Sequence, residues 1–203
     1  MAKIKHTKNE LKAQREALAR YERFLPTLEL KKSQLVTEIR HLSLAIEQVE
    51  EEIRKITEQV FTWVDVMAEE VDLKAWLKIK EIHTDEGNIA GIEIRIFRQV
   101  EFEDVPYDFF TTPLWVDRAL SILKEQIARR IKIKILQEQI EVLQQELRVT
   151  IQRINLFEKV KIPETRENIR IIQIFLGDAQ TAEVVRGKIA KSKIQSKREA
   201  LKV

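Results

Sequence analysis

From Leu11 to Met67 the chain reads LKAQREALARYERFLPTLELKKSQLVTEIRHLSLAIEQVEEEIRKITEQVFTWVDVM, and the spacing of apolar residues in this stretch decides the fold. Placing Leu11 at position a of a seven-residue repeat puts Leu18, Leu25, Lys32, Ile39, Ile46, Ile53, Val60 and Met67 at the later a positions. Gln14, Tyr21, Leu28, Leu35, Leu42, Val49, Ile56 and Trp63 then occupy position d. Apart from Lys32 and Gln14, each of these seam residues is apolar or aromatic, which is the register of a coiled coil. At ~1.5 Å per residue the stretch extends roughly 85 Å as one helix, a rod. An apolar stripe of that length needs a second helix to cover it.

The cover lies in the second half. Neither Gly nor Pro occurs from Leu114 to Ile162, and Ile133, Leu136, Ile140, Leu143, Leu147, Ile154 and Phe157 fall on a heptad frame that Thr150 interrupts at one d position. Val116, Leu120, Leu123 and Ile127 follow a frame offset from it, which predicts a stutter near Arg129 to Ile131. Thr112-Pro113 has the residue types of an N-cap and a first helical turn. Ile169, Ile172 and Leu176 continue the spacing beyond Pro163, and Gly177-Asp178 predicts a break or kink before a last basic helix. Pro26 and Pro163 each remove a backbone donor inside a helix, so mild kinks are expected at both.

Between the helical regions the period changes from seven to two. Leu77 and Ile79 alternate with Lys78 and Lys80, and Ile92, Ile94 and Ile96 alternate with Glu93 and Arg95. This predicts a β-hairpin over about residues 76–100, with Asp85-Glu86-Gly87-Asn88 as its turn. Residues 101–112 read as an irregular return rich in aromatic side chains. A hairpin reverses the chain, so the two helical regions run antiparallel and bring both termini to one end. The expected fold is mainly α, a long antiparallel two-helix coiled coil formed by the N- and C-terminal regions with a central β-hairpin segment. Its expected divisions are residues 1–74, 75–112 and 113–203, the last with kinks near Pro163 and Gly177.

Composition closes several classes of function. The 203 residues hold 4 Gly, 4 Pro and no Cys, which leaves no disulfide framework, thiolate metal site or thiol nucleophile. Neither Gly-rich phosphate-binding pattern occurs. His6, His41 and His83 are far apart in sequence, so no metal is expected, and Glu50-Glu51-Glu52 read as the solvated flank of the seam. The chain is expected to be non-catalytic and to take no cofactor. It has no run of about 20 apolar residues, and its first residues lack the apolar core of a signal peptide. A soluble, unexported protein without direct membrane insertion is expected.

Charge is concentrated at the ends. Residues 1–12 carry a net +3 and residues 186–203 a net +6, so with +3 overall the body carries −6. Antiparallel pairing then gathers both basic ends at one tip.

Several stretches carry a family resemblance. Asn155-Leu156-Phe157-Glu158-Lys159, Ile162-Pro163-Glu164, Ile172, Ile174-Phe175-Leu176-Gly177-Asp178 and the spacing of Lys188, Lys191 and Lys193 resemble the C-terminal helix of the D-subunit family of V-type and A-type rotary ATPases. Thr7-Lys8-Asn9-Glu10-Leu11 and the run from Tyr21 to Lys32 resemble the first helix of the same family, especially its bacterial branch. The resemblance covers nearly the whole chain and implies a central-stalk rotor shaft. Its paired terminal helices would enter the ring of catalytic A and B subunits, its middle would join the small F subunit of the stalk, and its lower part would dock on a funnel-shaped subunit above the membrane rotor ring. It implies a cytoplasmic location, peripheral to the membrane within a membrane-bound complex. It also implies a mechanical role, coupling ATP hydrolysis or synthesis to ion movement.

On that reading the hexamer-facing candidates are Lys3, Lys5, Lys8, Lys188, Lys191, Lys193, Lys197 and Arg198; a solvated helix end is the plain alternative. Trp76, Phe97, Phe102, Phe109, Phe110 and Trp115 either seal the junction of helices and hairpin or dock the F subunit. Trp63 reads as core. Without an RNP-like motif or a helix-turn-helix signature, nucleic acid is not expected as a partner. The competing classes are a prefoldin-like coiled-coil chaperone and a generic scaffold or RNA-binding coiled coil.

Overall fold

A computed structural model describes residues 4–61, 71, 73–106 and 112–200. Helix α1 (Lys8–Phe61) is followed by a short 3₁₀ turn (Leu73–Trp76) and by strands β1 (Ile79–Ile89) and β2 (Ile92–Phe102). Helix α2 (Val116–Leu156), a π-helical turn (Phe157–Lys161) and helix α3 (Ile162–Ala200) complete the chain. The mainly α architecture with an antiparallel hairpin is the one expected. Its contacts form two compact units, residues 31–150 and residues 1–30 with 151–203. Trp63 and Met67 lie outside the described residues.

In residues 31–150, α1 and α2 run antiparallel. Lys31 Nζ stands 2.8 Å from Glu146 Oε1, and Arg129 Nε stands 3.3 Å from Glu52 Oε2. Leu35, Val49 and Leu143 are buried between the helices' seams, and Ile39, Leu42, Ile46, Ile53, Ile56 and Val60 are half-buried. The heptad frame therefore identifies the covered face. At its one charged a position the chain departs from the frame: Lys32 is exposed, while its neighbour Lys31 is half-buried and holds Glu146. A cation cannot be left unpaired at a seam, so the side chain with an anionic partner takes the covered place.

Helix α2 buries a second face, against the hairpin. Ile135 and Gln139 line a cleft with Ile94 and Arg95, the Gln139 amide donates to the Arg95 carbonyl, and the Arg95 guanidinium lies 2.9 Å from Glu138. The hairpin turn is Ala90-Gly91 rather than Asp85–Asn88. Both turn residues have positive φ, 53° and 83°, and the Gly91 N–H donates to Asn88 Oδ1 at 2.9 Å. Two left-handed central residues match the twist of the flanking strands, which the earlier stretch does not supply. Asp85, Glu86, Gly87 and Asn88 are instead paired within β1, opposite Ile96, Arg95, Ile94 and Glu93. Gly87 serves close packing there, because a Cβ would sit 2.5 Å from Ile96 Cδ1. Bulges at Lys80 and Arg98 adjust the register toward the open end.

Helix α2 begins later than Thr112-Pro113 suggests. The Val116 N–H bonds the Pro113 carbonyl at 3.1 Å in a tight turn, and Val116, Ala119 and Leu120 are buried at once beyond it. Burial of these three residues, not the cap-like pair, sets where the helix starts.

In the other unit the start of α1 pairs antiparallel with the π turn and α3. The Tyr21 and Phe157 rings are 5.2 Å apart, Arg166 Nη2 lies 2.8 Å from Glu22 Oε1, and the His6 and Phe175 rings are 4.7 Å apart. Ile154, Ile162, Thr165 and Ile172 are buried. Around Pro163 the helix widens: the Ile162 N–H bonds the Phe157 carbonyl five residues back. Proline has no N–H for the Lys159 carbonyl and crowds it, and the wider turn moves that carbonyl aside. Helix α1 runs through Pro26, and α3 runs through Gly177-Asp178 without a break. A single glycine costs ~1 kcal/mol in a helix, too little to end one flanked by Leu176, Ala179 and Gln180.

Candidate interaction surfaces

The end of α3 is unlike the rest of the helical surface. Each residue from Gly177 to Lys197 is exposed, including Val184, Val185, Ile189 and Ile194, which are 48–58% accessible. At about 100° per residue these four apolar side chains point around the whole circumference, interleaved with Lys188, Lys191, Lys193 and Lys197. A helix packed along one side would have sorted them into two faces.

The two basic clusters are staggered. Lys5 and Lys8 flank His6, which sits beside Phe175, whereas Lys188 to Lys197 lie roughly 20–33 Å farther along α3 at ~1.5 Å per residue. Arg198 belongs to the same helix, and Lys3 lies outside the described residues.

The hairpin end carries the aromatic candidates. Trp76, Phe97, Phe102 and Trp115 are all half-buried. The Phe102 ring lies beneath Lys124 Nζ at 5.7 Å, and the indole nitrogen of Trp115 is shielded, with no acceptor among the described residues. Ile79, Ile82 and Ile96 add exposed apolar area on the strands. Phe109 and Phe110 lie outside the described residues.

Among the described residues, the group with metal-ligand types in reach of one another is Glu81, His83 and Glu101, with ligand atoms within 4.8 Å. Lys80 Nζ already stands 2.7 Å from Glu101, and its hydrogen bond and that of His83 hold the Glu101 carboxyl below its ordinary range. The same contact raises the Lys80 ammonium. The bulge at Lys80 sets Lys80 and Glu81 together opposite Glu101, so an ammonium occupies the ground a cation would need. No described helix is long and apolar enough to cross a membrane.

The sequence matches the ATP synthase D-subunit family over residues 10–192. The chain belongs to this family. The V-type ATP synthase D subunit of Borreliella burgdorferi is 45% identical to it over 97% of this chain and 98% of the relative. The protein of the same name from Chlamydia pneumoniae is 32% identical over 95% and 93%, and that from Chlamydia caviae 33% over 98% and 97%. The resemblance read from the two terminal helices thus extends to named bacterial D subunits.

The family match runs through α1, the hairpin and α3 as far as Ser192, so it takes in Lys188 and Lys191. Val184, Val185, Ile189 and Ile194 were not among the sequence candidates. They could have been found from α3 continuing, at the pairing set by His6 and Phe175, well past the start of α1. Gln139 was also missed, because its partner carbonyl lies 44 residues away on a strand.

Proposed function

We propose that the chain is the central-stalk rotor subunit of a V/A-type rotary ATPase, transmitting torque between the A–B catalytic hexamer and the membrane ion-translocating rotor. Membership of the D-subunit family and the names of its relatives support this reading. The observation that carries it is the end of α3, whose apolar and basic side chains point in all directions and find no cover within the described chain. A partner that encloses a helix from every side suits that distribution; one that docks on a single face does not. Val184, Val185, Ile189 and Ile194 would meet the lining of the A–B ring, with Lys5, Lys8, Lys188, Lys191, Lys193, Lys197 and Arg198 facing its polar and acidic parts. The half-buried aromatics Trp76, Phe97, Phe102 and Trp115 would stiffen the hairpin end and offer area to the F subunit, and the funnel-shaped subunit would meet the membrane-proximal part.

The work is mechanical and the chain forms and breaks no bond. Each orientation of the shaft biases a catalytic site through a difference in contact energy. It sits on the cytoplasmic side, peripheral to the membrane.

Co-expression with the two large nucleotide-binding subunits tests this. The full chain should co-purify with them and restore ATP-driven ion movement, and a chain ending at Leu176 should lose both. Retention of both by the shortened chain would sink the reading, as would association of the full chain with unfolded clients or RNA instead. Converting Lys188, Lys191, Lys193 and Lys197 together to Gln should weaken assembly and flatten its dependence on salt.

A further inference from the structure

We infer that residues 181–197 of α3 form a fold-on-binding segment, interconverting with coil in the isolated chain and ordering as a helix when a partner encloses it. Each of these residues is exposed. Tertiary packing, which supplies most of the stability of helices in proteins, therefore contributes little here. Local support is what remains, and it is thin. Thr181, Val184, Val185, Ile189 and Ile194 are β-branched and lose rotamer freedom in a helix. Gly187 has the most backbone freedom to lose. The Thr181 and Ser196 hydroxyls donate back to the Gly177 and Ser192 carbonyls at 3.0 and 3.1 Å, bonds that compete with those of the helix itself.

Charge does not make up the difference. Arg186, Lys188, Lys191, Lys193 and Lys197 stand against the single anion Glu183. Lys188 and Lys191 are three residues apart, and Lys193 and Lys197 four, spacings at which like charges on a helix repel. Among the described residues no ion pair reaches this segment, although Arg170 and Glu167 pair at 2.7 Å earlier in the same helix. Propagation outward from the covered turns near Ile172 thus gains little per residue. A segment ordered by its partner gives up part of the contact free energy to that ordering, which keeps the association reversible. The coil content of the isolated end is independent of the rotor reading; only the identity of the enclosing partner rests on it.

Amide-hydrogen exchange of the monomeric full-length chain tests the inference. Amides of residues 181–197 should exchange within about tenfold of unstructured-chain rates, while those around Leu143 are slowed on the order of a thousandfold or more. Gly187→Ala adds a Cβ that meets nothing within 4 Å, so it acts through helix propensity alone. It should slow exchange of the segment about two- to fivefold and increase the helical far-UV circular dichroism of the isolated chain. An end that was already a complete helix would gain no ellipticity. In the complex with the two large nucleotide-binding subunits the same amides should be slowed at least about a hundredfold. Seam-like protection in the isolated chain, unchanged dichroism in Gly187→Ala, or no added protection in the complex overturns the inference. Failure of that complex to form sinks the rotor reading and leaves the two isolated-chain measurements to decide this one.

Discussion

The seam between α1 and α2 and the free end of α3 use similar residues to opposite ends. In the seam, Leu35 and Leu143 are wholly excluded from water. On α3, Ile189 and Ile194 stand more than half exposed although they also lie on a regular helix. Composition does not separate the two regions. What separates them is whether another described stretch of the chain lies opposite, which makes the first region a source of stability and leaves the second, among the described residues, an uncovered surface that adds little to the isolated fold.

Substitutions can break or sharpen this contrast. Leu143→Ala removes a fully buried side chain and should cost about 2–5 kcal/mol in urea unfolding, whereas Ile189→Ala should change the stability of the isolated chain by no more than about 0.5 kcal/mol. Equal losses at the two positions would erase the distinction. Thr150 is a seam residue whose hydroxyl is buried without a partner among the described residues. Thr150→Val should therefore stabilise by about 1 kcal/mol, read from the same unfolding curves. A smaller gain, about 0.5 kcal/mol, is expected from Ala90→Asn, which puts an Asn-Gly pair in a turn where alanine now holds a positive φ.

The smallest effect concerns the exposed pair Lys80–Glu101. The folded Glu101 carboxyl lies below its ordinary range, so its contribution is present above the unfolded value and is lost as pH falls through the folded one. Lys80 is raised, so its share is present at neutral pH and lost only in strong alkali, as pH rises through its folded value. Glu101→Gln should remove the acid-side dependence at the hairpin while barely moving the melting temperature at neutral pH, because exposed ion pairs are screened by solvent. Amide-proton exchange of the hairpin as a function of pH reads this directly.

Much of the fold was legible because it rests on periodicity. The seven-residue spacing from Leu11 to Val60 marks the covered face of α1, and the alternation around Ile92, Ile94 and Ile96 marks a strand. The turn was misplaced because Asp-Glu-Gly-Asn has turn composition, while the true turn depends on backbone angles at Ala90 and Gly91 that composition does not encode. Gly177-Asp178 suggested a break or kink; the helix is not broken there, because local propensity on both sides outweighs one glycine. The basic residues of α3 were legible as charge. Its apolar residues were not singled out, since their exposure follows from the stagger of two helices rather than from either sequence alone.

The π-helical turn at Phe157–Lys161 changes how the repeat is counted. From Ile154 and Phe157 an uninterrupted frame would next place Lys161, Glu164, Asn168, Ile171 and Phe175 on the inner side. Burial falls instead on Ile162, Thr165 and Ile172, with Ile169 and Leu176 half-buried, each one residue later. The wide turn absorbs one surplus residue and keeps the following spiral in phase with α1. Removing a residue from within it should be better tolerated than the same deletion elsewhere in α2 or α3, where everything downstream would swing by about 100°. At this place, chain length is as much a design variable as side-chain chemistry.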